Sequence, residues 1–231
     1  MMLRRLRVGE AFASRYRAFT PLLKRWITAL VLACGLSAAL TPAGAAEQPR
    51  LMILGDSLTA GYGLPEDDAF PVRLEAALKK AGLDVEVINA GVSGDTTAGG
   101  RARLDWALAD RPSHALVELG ANDALRGTDP AVTRANLDAI VAKLTAAGVR
   151  VMLAGMYAPP NWGRDYETAF NAIYPALAEK HDIPLYPFFL DGVAAQRDLN
   201  QADGIHPNAA GVAVIVERIA PPIARWLADK E

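Results

Sequence analysis

From about residue 50 onward, short apolar runs alternate with longer stretches in which apolar positions recur every three or four residues. The short runs are too brief for helices and read as buried strands over 51–54, 85–89, 115–119, 150–155 and 184–188. The longer stretches predict helices over 70–81, 96–109, 130–147 and 166–181, and a last one over 208–229 that Pro221 and Pro222 should kink or break. The third helix shows the logic. Asp129 can cap it, Pro130 suits its first turn, Leu137, Ile140, Val141 and Leu144 share one face, and Gly148 stops it. Alternation of this kind requires a parallel sheet with helices on both faces, and such sheets keep their sites in the crevice beyond the carboxyl ends of the strands. No linker, repeat or low-complexity tract interrupts the pattern, so residues 47–231 read as one α/β domain.

The first 46 residues break the pattern. Arg4, Arg5, Arg7, Arg15, Arg17, Lys24 and Arg25 precede an apolar run from Trp26 to about Leu40, followed by Ala43-Gly44-Ala45-Ala46, the layout of a cleaved signal peptide. The run falls short of the roughly 20 residues that a spanning helix needs. Cys34, the only cysteine, raises a lipoprotein signal as the competing reading, but Val31 stands where that signal favours Leu. The small residues further on favour cleavage after Ala45 or Ala46. The expected product is a periplasmic or secreted chain with no cysteine, held together by packing alone. Losing the leader reduces the basic residues from 24 to 17 and the acidic ones only from 26 to 25, a net charge of about −8. A chain of that sign has no electrostatic reason to bind nucleic acid or an anionic membrane, so small neutral or apolar molecules are the expected partners, and a monomer the expected state.

Three segments that follow different apolar runs carry the candidate chemistry: Gly55-Asp56-Ser57-Leu58, Gly120-Ala121-Asn122-Asp123 and Asp203-Gly204-Ile205-His206-Pro207. A serine hydroxyl is a weak nucleophile at neutral pH and needs a base within hydrogen-bond reach. Of the three histidines, His114 precedes a buried strand at the wrong end of the sheet and His181 closes a polar helix end, where a cation suits the dipole. Both read as structural, which leaves His206 as the base for Ser57. Asp203, three residues earlier, can reach the imidazole through one tight turn. Asp56 and Asp123 are the alternatives, each adjoining another motif residue and read as ordering its own turn. The elbow of the α/β-hydrolases, Gly-x-Ser-x-Gly, is excluded because Thr59 occupies the last glycine position. Neither ligand-spaced histidines nor a phosphate-cradling glycine loop is present, since Gly91, Gly94, Gly99 and Gly100 fit no such pattern; no metal and no cofactor is expected.

From about Arg50 to the C-terminus the chain resembles the SGNH, or GDSL, hydrolases. It carries Gly55-Asp-Ser-Leu58, Asn89-Ala-Gly-Val-Ser-Gly-Asp-Thr96, Gly120-Ala-Asn-Asp123 and Asp203-Gly-Ile-His-Pro207 in the family's order. The fuller strings around these blocks are most similar to the periplasmic thioesterase, lysophospholipase and arylesterase branch. The resemblance implies a three-layer α/β/α flavodoxin-like fold with a five-stranded parallel sheet, and hydrolysis of esters and thioesters through an acyl-Ser57 intermediate. It also implies a triad of Ser57, Asp203 and His206, and an oxyanion hole formed by the Ser57 and Gly94 N–H groups and the Asn122 amide, with Gly94 opening a helix. A carbohydrate acetylesterase on the same scaffold and a non-catalytic flavodoxin-like binding module are the competing readings. The first wants more polar loops than this chain has, and the second has no use for the complete set of blocks. Leu58, Leu125, Tyr157, Ala158, Pro159 and Trp162, in loops expected at the active edge, are the candidate acyl-binding wall.

Overall fold

The computed structural model describes residues 48–229. The segment 1–46 expected to be a cleaved signal peptide, with Cys34, lies outside the described residues. Strands β1 (Arg50–Gly55), β2 (Glu86–Gly91), β3 (His114–Glu118), β4 (Arg150–Ala154) and β5 (Leu185–Tyr186) form one parallel sheet in the order β2-β1-β3-β4-β5. Leu51–Leu54 and Ala115–Val117 are fully buried, as expected of central strands covered on both faces. The chain leaves β1 toward one edge of the sheet and leaves β3 toward the other. The C-terminal ends of β1 and β3 therefore flank the switch point where open α/β sheets place their crevice.

The helices are α1 (Ser57–Ala60), α2 (Phe70–Lys80), α3 (Thr97–Ala102), α4 (Leu104–Leu108), α5 (Ala121–Leu125), α6 (Pro130–Ala146), α7 (Arg164–Asn171), α8 (Ile173–His181) and α9 (Ala209–Ala228). Helix α2 packs with α9, while α6 packs with α3 and α8. Right-handed crossovers running in opposite directions put these two groups on opposite faces, which makes the three layers. Helix α6 forms as its sequence dictates: Asp129 Oδ1 accepts the Ala131 N–H at 2.9 Å, and Leu137, Ile140, Val141 and Leu144 are fully buried.

Several boundaries differ from the sequence expectation. The helix expected over 96–109 divides at Arg103, whose side chain turns back to Asp95 and to the Gly55 carbonyl. The one expected over 166–181 divides at Ala172, because Pro175 has no N–H for the Asn171 carbonyl and is tolerated only in the first turn of a new helix. The fifth strand shrinks to two residues between Pro184 and Pro187, neither of which can donate to a ladder. Helix α9 instead runs unbroken through Pro221 and Pro222. The carbonyls whose i+4 donors the prolines remove belong to Glu217 and Arg218, both exposed residues, so the missing bonds fall on the solvent side of the helix. The short helices α1 and α5, which start two and three residues beyond their strands, had no sequence signal long enough to show a period.

Candidate active site

Strand β1 ends at Gly55, and Asp56 caps α1 by accepting the Leu58 N–H at 3.0 Å, which makes Ser57 the first helical residue. The tip of β2 lies against this turn so closely that a Cβ on Gly91 would sit 2.4 Å from the Ala60 nitrogen. Glycine alone permits that approach. The third segment folds back across the same edge: Gln201 donates its side-chain amide to the Tyr62 carbonyl at 2.7 Å, and Asn208 then caps α9.

These anchors align Ser57, His206 and Asp203. Ser57 Oγ lies 2.9 Å from His206 Nε2, and His206 Nδ1 lies 2.6 Å from Asp203 Oδ2. Asp203 Oδ1 also accepts the Ile205 and His206 N–H groups, each at 3.0 Å. The His206 backbone N–H, then its imidazole, lower the Asp203 carboxyl to about 2, so it stays ionised beside the ring at any working pH. The Tyr62 ring leans over His206 with centroids 4.6 Å apart.

Asn122 stands in the first turn of α5 and donates its side-chain nitrogen to Asp56 Oδ2 at 3.0 Å, which fixes which end of the amide is the nitrogen. Asp56 therefore does more than order its own turn. Burial raises its carboxyl to about 6, against the Leu58 and Asn122 donors that favour the anion. Gly94 does not open a helix as expected: α3 begins at Thr97 with Thr96 as its cap. Gly94 sits instead in the preceding turn at φ +83°, a conformation that favours glycine. The turn is held by Arg126, which donates to the Gly94 carbonyl at 2.8 Å, and by Arg103, which bridges Asp95 and Gly55.

Asp123 departs further from the expectation of a turn-former. Buried, it accepts the Thr97 N–H at 2.8 Å and hydroxyl at 2.6 Å and the Thr133 hydroxyl at 3.3 Å, tying α5 to α3 and α6. His114 lies at the opposite end of β3, edge-on to Trp226, where burial pushes it down to about 4. His181 pairs with Asp138 at 2.6 Å. Neither touches the site.

A cavity of about 620 Å³ opens over Ser57, with Gly94, Asn122 and His206 in its lining. Leu58, Leu125, Tyr157, Ala158 and Pro159 line it as well. Trp162 does not. Its indole N–H donates to the Ala124 carbonyl at 2.7 Å, and its ring covers Gly127 so tightly that a Cβ there would lie 2.9 Å away. The tryptophan braces the end of α5 from outside the cavity and remains 46% exposed. Sequence reasoning missed Phe188, which stacks on Tyr157 at 4.4 Å, because 184–188 read as a strand; Leu190 and Ile205 were also not assigned to the wall, whereas Met156 lies in the 156–162 segment expected there. Among the described residues no group of His, Cys, Asp and Glu is arranged to hold a metal ion, and no helix is long and apolar enough to cross a membrane.

Comparison with known proteins agrees with the four blocks. The GDSL-like Lipase/Acylhydrolase family profile matches residues 53–214. Esterase TesA of Pseudomonas aeruginosa is 41% identical over 196 residues, spanning 84% of this chain and 97% of that protein. Thioesterase 1/protease 1/lysophospholipase L1 of Escherichia coli K12 is 43% identical over 188 residues, 80% of this chain and 85% of that one. Among solved structures, the psychrotrophic esterase EstA from Pseudoalteromonas, determined with monoethylphosphonate as inhibitor, superposes with a TM-score of 0.74 at 36% identity, covering 78% of this chain and 99% of that one. The five-stranded parallel sheet, the order of the blocks and these likenesses agree: the chain belongs to the GDSL-like lipase/acylhydrolase family and is an ester hydrolase of the SGNH type.

Proposed function

We propose that Ser57 is the nucleophile of an enzyme that cleaves carboxylic esters and thioesters of small molecules, with His206 as base and Asp203 as the group that orients it. The observation that carries this reading is the unbroken line from Asp203 Oδ2 to His206 to Ser57 Oγ at 2.6 and 2.9 Å. His206 Nε2 accepts the hydroxyl proton as Oγ attacks the acyl carbon, and returns it to the departing alkoxide or thiolate. Asp203 stabilises the imidazolium and holds its tautomer. The Ser57 N–H at the start of α1, the Gly94 N–H and the second N–H of the Asn122 amide receive the negative charge on the carbonyl oxygen. Water then enters by the same base to release the acid from acyl-Ser57.

The acyl chain lies along the wall formed by Leu58, Leu125, Tyr157, Ala158 and Pro159, with Phe188 behind Tyr157. This apolar lining favours an aliphatic or aryl acyl ester over a carbohydrate acetate. The relatives' names, esterase, arylesterase and thioesterase, support the same range of leaving groups. No cofactor, metal or nucleic acid takes part in this reading, and the protein acts as a monomer.

A panel of p-nitrophenyl esters from acetyl to palmitoyl tests the wall. Each buried methylene contributes ~0.8 kcal/mol, so Tyr157→Ala is expected to lower kcat/KM for long esters progressively while acetyl ester turnover changes little. Trp162→Ala is expected to lower Tm and leave the chain-length profile unchanged. Equal losses on short and long esters in Tyr157→Ala would place the acyl chain elsewhere. The export reading is tested separately by N-terminal sequencing of the exported protein. It should begin at Ala46 or Glu47 without lipid, and a diacylated Cys34 as first residue would overturn it.

A further inference from the structure

Glu118 ends β3 and is fully buried, yet takes no part in the chemistry above. Its Oε1 meets no hydrogen-bond partner among the described residues. Burial, then the neighbouring Asp56 charge, raise this carboxyl well above the ordinary carboxylate range. A leucine would fill such a place at less cost, so the carboxyl must be doing something a leucine cannot. Its other oxygen shows what. Oε2 accepts the Thr59 hydroxyl at 2.7 Å and lies 3.4 Å from the Asp56 N–H, which points at it. Asp56 directly precedes Ser57, and Thr59 follows it by two residues in the same turn. The parallel register places Gly55 opposite Glu118, and a Cβ on Gly55 would fall 2.4 Å from Oε2 and 2.0 Å from Thr59 Oγ1. The glycine thus leaves room for the carboxyl directly under the turn that carries the serine.

We propose that Glu118 is a positioning residue for Ser57, gripping residues on both sides of it from inside the core so that Oγ stays in line with His206 Nε2. This rests on the role given to Ser57 above. A helix of four residues has too few bonds of its own to hold a side chain to a fraction of an ångström. The clamp replaces what the helix lacks.

The test is the rate at which a fluorophosphonate probe labels the protein, read per folded molecule by intact mass, in the parent, Glu118→Gln, Glu118→Leu and Thr59→Val. Glu118→Gln keeps a carbonyl acceptor and is expected to label within about threefold of the parent, whereas Glu118→Leu should fall on the order of 10²-fold, as small misplacements of a nucleophile do. Thr59→Val, which removes one of the two gripped donors at nearly constant volume, should fall roughly tenfold by the same reasoning. A purely structural role would reduce Tm and the folded fraction but leave the rate per folded molecule unchanged. Parental rates in Glu118→Leu, or equal slowing in Glu118→Gln and Glu118→Leu, would overturn the proposal. If Glu118→Leu fails to fold, Thr59→Val decides, and a parental rate there overturns it. Failure of the parent itself to label would count instead against the role of Ser57.

Discussion

Ser57→Ala is expected to lower kcat on p-nitrophenyl butyrate by ~10⁴-fold or more, with KM and Tm close to the parent's. The size follows from what the hydroxyl does: without Oγ no acyl-enzyme forms, and the remaining donors can only assist direct attack by water. Stability should hold because, among the described residues, Ser57 Oγ bonds to His206 alone, and an alanine suits the first turn of α1. Steady-state kinetics on the folded variant is the check. Activity within tenfold of the parent would remove Ser57 from the reaction.

Asn122→Ala is expected to give the next largest loss, ~10²- to 10³-fold in kcat with KM nearly unchanged, because an oxyanion donor acts chiefly in the transition state. The distinction from a packing effect is measurable. Asn122 is only partly buried, and its side-chain amide has Asp56 as its one partner among the described residues. A large rise in KM, or a loss of kcat matched by loss of folded protein, would assign Asn122 to structure instead.

The site was readable in the sequence because its parts sit at fixed offsets from strands. A short apolar run that ends in Gly-Asp-Ser predicts a buried strand and a sharp turn, and β1 and Ser57 are found in that arrangement. The Asp203 to His206 spacing likewise predicted one turn, and the structure closes it with three bonds to one carboxylate. What was not readable depends on contacts between segments far apart in the chain. Trp162 looked like an acyl wall because it is aromatic and follows a strand; only its bond to the Ala124 carbonyl shows that it braces α5 instead of lining the cavity. Asp123 looked like a local turn-former, and its partners Thr97 and Thr133 lie on other helices. Glu118 did carry a signal, a charged residue between Val117 and Leu119 in a buried run, but a sequence does not say what such a residue grips. The helix break at Arg103 shows the same limit, since it depends on a tertiary bond, whereas the break at Ala172, set by Pro175, was present in the sequence.

The central claim is that Ser57 is the nucleophile, made reactive by His206. Treatment of the folded protein with a fluorophosphonate, followed by peptide mass mapping, tests it most directly. The account predicts one adduct per molecule on the peptide that contains Ser57, absent after denaturation and absent in Ser57→Ala. An active enzyme that takes up no probe, or an adduct on a different residue whose loss abolishes hydrolysis, would contradict it.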